Sequence, residues 1–199
     1  MTSRLDDLIV ADTSPLITLA IADHLHVLTR PRLRIVIPDA VFTEATRMEG
    51  APGATRLVDW TADNEDLVRI RPTQTGLDQI ARIQEGRPIR GMGETAALEV
   101  LESTSLRHPD RYMFLIYEDR DVQKRILSLP PKAYAISTGD WLRVLERAAL
   151  IQSADEILDR AAAEGRVMHR QRTRTAAQDA IDAVGERIGQ AKNSLGPGG

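Results

Sequence analysis

The chain has 199 residues and a mass of 22.0 kDa, with 26 lysines and arginines against 29 aspartates and glutamates for a net charge of −3, and no cysteine. That length accommodates one domain with a full core and an appendage, and the missing cysteines exclude disulfides, thiolate metal sites and cysteine nucleophiles, so any metal must take oxygen or histidine ligands. The overall field does not favour nucleic acid, no run approaches the roughly 18–20 apolar residues of a bilayer crossing, and the opening MTSRLDD lacks the apolar core of a signal peptide, which predicts a cytoplasmic protein with no membrane partner.

The first element is predicted at Leu8–Ala11, a short apolar run closed by Asp12. A helix over Pro15–Leu28 follows, with Ser14 as its cap and Pro15 pre-set for its first position. Next come a strand at Arg34–Ile37, helices at Asp39–Met48 and Ala54–Asn64, and a strand at Leu67–Arg71. Helices at Gly76–Glu85 and Gly93–Ser105, a strand at Tyr112–Tyr117, a helix at Asp121–Leu129, a strand at Ala133–Ile136 and a helix at Thr138–Leu150 complete the series. Strands alternating with helices predict an α/β fold, three α/β/α layers about a mostly parallel sheet, over residues 1–152.

Residues 153–199 offer no further strand and read as a helical extension with a disordered SLGPGG tail. Its helices are predicted at Ser153–Glu164, stopped by Gly165, and at Thr173–Lys192. In the second, Ala177, Ile181, Val184, Ile188 and Ala191 form one apolar stripe, which is expected to pack on the protein's own body or on a twin subunit. Between the two helices, GRVMHRQRTR carries Arg166, Arg170, Arg172 and Arg174 with His169 and no acid. It reads as a solvated linker or as a grip on RNA phosphates that salt would weaken.

Ligands of open α/β sheets gather beyond the carboxyl ends of the strands. Asp12 stands at such an end, and Glu118, Asp119 and Asp121 in YMFLIYEDRD repeat that design. Two further acids fall on helical faces that should be apolar. Glu44 lies three residues after Val41 and four before Met48, and Glu94 is at helical spacing from Ala97, Leu98 and Leu101. Glu99 and Glu102 lie elsewhere and read as solvent-facing charges. Carboxylates gathered in a partly buried place repel one another and lose hydration, which a bound cation relieves. An all-oxygen donor set suits Mg²⁺ or Mn²⁺. Local explanations compete: the helix dipole alone favours Glu94, and Asp119 and Asp12 could be caps. Glu44 is hardest to explain locally, because a mid-helix position on an apolar stripe seldom takes a glutamate without a partner.

The stretches IVADTSPLI, IPDAVFTEA, GMGETAALEV and LIYEDRDVQKR, in that order, followed by AISTGDWLRVLERAALI, resemble the PIN-domain family of metal-dependent nucleases, in particular the subgroup related to the toxins of VapBC-type toxin–antitoxin pairs. The resemblance runs from about Leu8 to Ile151. It implies that Asp12, Glu44, Glu94 and Asp119 are the catalytic, metal-binding acids, with Mg²⁺ or Mn²⁺ as cofactor and Asp121 as an auxiliary. It further implies that the hydroxyl of Thr13 or Ser14 helps hold Asp12 or a metal-bound water, and that the reaction is endonucleolytic hydrolysis of RNA, restrained by an antitoxin protein. The segment from Arg47 to Pro72, with Trp60, carries no motif of the family, and residues from Ser153 onward extend past the usual end of its compact members.

Arg120, an auxiliary candidate between two acids, and Arg90, just before GMGE, could meet substrate phosphate or act as ordinary ion-pairing charges. His24 and His26 lack the i, i+4 spacing of a helical metal pair, and with His108 and His169 scattered no histidine triad is supported. Gly91 and Gly93 lack the Lys and Ser/Thr of a phosphate loop and read as a turn that admits Glu94 to the site. The leading expectation is therefore a ribonuclease toxin, as a homo-oligomer, a dimer. Its rivals are a non-catalytic PIN-like module that binds RNA or protein, and a phosphate-receiver domain. The last needs a Lys at a later strand end, where YAISTGD offers none.

Overall fold

Leu8, Ile9, Val10 and Ala11 are all buried, and together they form β1 (Leu8–Ala11). An apolar run without alternation marks a strand covered on both faces, as the middle of a parallel sheet must be. In the computed structural model, which describes residues 7–47, 50–118, 129–166 and 175–194, four more strands flank it. They are β2 (Arg34–Pro38), β3 (Val68–Arg71), β4 (Met113–Tyr117) and β5 (Ala133–Ser137). The sheet order is β3-β2-β1-β4-β5, and every neighbouring pair is parallel.

Eight α-helices among the described residues connect and cover the strands: α1 (Thr13–Ile21), α2 (Asp39–Thr46), α3 (Ala54–Asp63), α4 (Gln74–Gln84), α5 (Met92–Arg107), α6 (Thr138–Arg147), α7 (Ala154–Ala163) and α8 (Thr175–Ser194). Alternate residues of one strand feed opposite layers. Ile9, Ala11, Phe114 and Ile116 pack with α1, α3, α6, α7 and α8. Leu8, Val10, Met113 and Leu115 pack with Ala97, Val100 and Leu101 of α5. The three-layer α/β/α arrangement expected from the alternation is the one the chain adopts. Trp60, in the stretch without a motif, is a buried core residue of α3.

Three helical expectations need correction. Helix α1 starts at Thr13 with Asp12 in the cap position, so Ser14 does not cap it. Pro15 is then the third helical residue, where its missing N–H still falls among the unpaired donors of the first turn. The same helix stops at Ile21 because Asp23 takes a left-handed conformation (φ 62°), and Leu25–Leu28 form a separate 3₁₀ turn. Helix α6 ends at Arg147, short of Leu150, where Ala149 is likewise left-handed (φ 53°). The helix expected at Asp121–Leu129 lies outside the described residues except for Leu129, as do Met48, His169 and Leu195–Gly199 of the tail.

The extension shares the core of the sheet. Ile157 and Leu158 of α7 and Ile181, Val184 and Ile188 of α8 join the cluster around Ile9 and Phe114, so these three residues of the α8 stripe are covered by the protein's own body. Arg187 of α8 pairs with Asp7 and lies 4.6 Å from the centre of the Tyr112 ring. A carboxylate as buried as Asp7, ahead of β1, is thus compensated by a charge from the last helix.

Candidate active site

The chain runs from β1 to β2 and β3 on one side and places β4 and β5 on the other, so the strand order reverses between β1 and β4. Open sheets of this kind form their binding crevice beyond the carboxyl ends of the strands at that point. Asp12 and Glu118 are the first residues past β1 and β4. The Asp12 N–H donates to the Ile116 carbonyl at 3.1 Å, which holds the two strand ends side by side.

Asp12 is only 9% exposed. Burial pushes its carboxyl from 3.8 up to about 6, the Thr13 backbone N–H opposes that shift, and the negative charges of Glu44, Glu94 and Glu118 add to it. Negative charges from α2, α5 and the end of β4 therefore act on the carboxylate at the end of β1.

Glu44 enters because its helical position turns it toward α1 and α5. Its Oε2 accepts the Thr13 hydroxyl at 3.0 Å, and its Oε1 accepts the Gly93 N–H, also at 3.0 Å. A carboxylate at the start of α5 satisfies a donor that has no partner within the helix. Gly93 permits the approach: a Cβ there would lie 2.7 Å from Glu44 Oε2 and 2.8 Å from Thr13 Oγ1. Gly91, the cap residue of α5, is left-handed (φ 77°), so the glycine pair does form the turn that delivers Glu94 in the first turn of α5.

Glu118 is held more firmly still. Its Oε2 accepts the Thr18 hydroxyl of α1 at 3.0 Å and its Oε1 the Thr138 hydroxyl of α6 at 3.0 Å. Arg166, just past α7, places Nη2 3.5 Å from Oε2. Burial raises the Glu118 pKa, while these hydroxyls and the guanidinium pull it back. The sequence favours Asp119 among the acids after β4 and offers no sign of Thr18 or Thr138, and Arg166, read there as part of a solvated linker or an RNA grip, instead pairs with Glu118. The only signal for Glu118 was its place as the first residue after an apolar run.

A family model described as a PIN domain matches residues 8–105. Residues 8–105 belong to the PIN-domain family. The PIN domain is a nuclease-type fold, and the matched residues contain Asp12, Glu44 and Glu94, while Glu118 and Asp119 lie beyond them. No curated protein and no solved structure gives a significant match.

Around this PIN domain match the remaining candidates fall in different places. The Thr13 hydroxyl serves Glu44 and does not turn to Asp12, and the Ser14 carbonyl accepts Arg166 Nη2 at 3.4 Å. Arg90 is exposed, one residue before Gly91. Asp119, Arg120, Asp121, Arg170, Arg172 and Arg174 lie outside the described residues. Glu99 departs from its reading as a solvent-facing charge: it accepts the Gln74 and Thr75 N–H groups and the Thr75 hydroxyl, at 2.7, 3.1 and 3.0 Å, and so caps α4.

PIN domains typically use divalent metals. Among the described residues no group of three or more His, Asp or Glu is disposed to hold a metal ion. Glu44 and Glu118 have both oxygens engaged by protein donors. The donors around Asp12 nevertheless suit a hard cation in kind, since the side-chain charges acting on it are carboxylates whose repulsion a cation would offset. No helix among the described residues is long and apolar enough to cross a membrane.

Proposed function

We propose that the protein is a metal-dependent endoribonuclease, the toxin component of a toxin–antitoxin pair, working in the cytoplasm. The observation that carries this reading is Asp12, buried at the strand-order reversal with its carboxyl pushed to about 6 by burial and by Glu44, Glu94 and Glu118. A solvated cap would need neither that burial nor those neighbours. A phosphate-receiver fold is disfavoured by the strand order, since the doubly wound receiver type runs 2-1-3-4-5.

Asp12 and Glu94, with Asp119, would hold a Mg²⁺ or Mn²⁺ ion. When bound, such an ion lowers the pKa of a water and stabilises the charge that develops on a phosphodiester under attack. Glu44 acts as the clamp of the site, joining the β1–α1 junction to the start of α5 through Thr13 and Gly93. Asp121 and Arg120 follow Asp119 closely enough in sequence to serve the same crevice as auxiliaries. Arg90, two residues before α5, and Arg170, Arg172 and Arg174 of the extension would supply cations for the RNA backbone, so binding should weaken with salt. An antitoxin would restrain the enzyme by covering the carboxylates, and a dimer is the proposed assembly.

The test is RNA cleavage by purified protein with Mn²⁺, with EDTA as control. Asp12→Asn and Glu94→Gln variants that fold as wild type should lose metal-dependent cleavage. If either kept the full rate, the assignment of these acids would be wrong. Calorimetric titration with Mn²⁺ addresses the binding-module alternative, which predicts no uptake at millimolar metal.

A further inference from the structure

The residues just past α7, the first helix of the extension, bring a guanidinium back to the end of β4. Arg166 Nε donates to Thr18 Oγ1 at 2.9 Å, its Nη2 lies 3.5 Å from Glu118 Oε2, and the same Nη2 donates to the Ser14 carbonyl at 3.4 Å. Because Thr18 accepts from Arg166, its own proton is directed to Glu118 Oε2, the bond observed at 3.0 Å. A hydroxyl polarised by a cationic donor is a stronger donor itself. The guanidinium therefore reaches Glu118 twice, directly and through Thr18, while Thr138 fixes the other oxygen.

We propose that Arg166 is a positioning residue of the active site, and that the helical extension is a working part of the nuclease and not an accessory to it. Glu118 follows β4, whose end is bonded to Asp12, and its charge acts on the Asp12 carboxylate. A carboxylate left to rotate there would blur the field into which a cation must fit, and a site must be held within about 0.5 Å to work. The planar fork serves Thr18 through Nε and Glu118 and Ser14 through Nη2. A lysine at 166 would keep the charge and lose that geometry.

This inference rests on the nuclease reading, and the experiment separates the two. Full-length wild type, Arg166→Gln, Arg166→Lys and Thr18→Val are titrated with Mn²⁺, recording the thermal midpoint and, in parallel, kcat and KM for RNA cleavage. Loss of a positive charge alone would draw a cation closer and lower the Mn²⁺ concentration for half-maximal stabilisation. Loss of positioning raises it. We expect a rise of about fivefold or more for R166Q, a smaller rise for R166K and T18V, and a fall in kcat with KM little changed. T18V is nearly isosteric and carries the test if R166Q fails to fold. An unchanged or lower Mn²⁺ midpoint in the folded variants, beside a responsive wild type, would overturn the inference alone. A wild type that neither takes up Mn²⁺ nor cleaves RNA would overturn it together with the nuclease reading.

Discussion

Gly93 and Glu44 meet at the junction of α2 and α5, where the glycine N–H donates to the carboxylate at 3.0 Å and a hydrogen occupies the only space a side chain could have taken. The two residues fix the angle at which α5 enters the site, because Glu44 also holds Thr13 beside Asp12.

Gly93→Ala tests that junction. Its methyl would be 2.7 Å from Glu44 Oε2 and 2.8 Å from Thr13 Oγ1, so one of the two must yield. Overpacking of this kind costs about 1–3 kcal/mol. Urea denaturation should show the loss, and cleavage at a temperature where the variant is folded should fall as well. A variant as stable as wild type would mean that the junction is slack.

Asp12→Asn should stabilise the metal-free protein. With its carboxyl raised from 3.8 to about 6, the ionised form of Asp12 opposes folding by about 3 kcal/mol. For a raised pKa the stabilising contribution is complete below the unfolded value and lost as pH rises through the folded one. In EDTA at pH 7.5, D12N should therefore melt above wild type, and the gap should shrink as pH falls below 6 and close near pH 4. Added Mn²⁺ should stabilise wild type more than D12N. Equal melting temperatures at pH 7.5 in EDTA would remove the case for a strained carboxylate.

Glu99→Ala should behave in the opposite sense. Hydrogen bonds from Gln74 and Thr75 hold the Glu99 pKa below 4.5 despite the cost of burial, so its contribution is present above that value and lost as pH falls. Removing a helix cap costs about 1 kcal/mol. Denaturation at pH 7 should show that loss, and at pH 3 most of the difference should have disappeared, with cleavage at pH 7 barely affected.

What could be read in the sequence follows from what is local. The five strands announce themselves as apolar runs, and Asp12, Glu44 and Glu94 stand out because periodicity makes each an anomaly on its own element. Glu118 is harder to pick out, because several acids follow one another after β4 and spacing does not rank them. Its partners Thr18, Thr138 and Arg166 come from three other elements. Glu99 was misread for the same reason: its role is to cap α4, and only the packing of α4 on α5 supplies the donors. The cap of α1 slipped by two residues because Ser14 and Asp12 are both good caps and Pro15 suits several positions in a first turn.

Among the described residues the order β3-β2-β1-β4-β5 leaves β3 and β5 each with one side unpaired by a strand, and the chain treats both in ways that oppose growth of the sheet. β3 is only four residues long, VRIR, with Arg69 exposed and Arg71 directed to Ser103 and Thr104 of α5. β5 begins soon after Pro130 and Pro131 and has α8 packed against it. Short, arginine-bearing or flanked margins make poor templates for a neighbouring backbone. Copies of this molecule are thus steered away from edge-to-edge stacking, and an assembly between them would be built from helical faces.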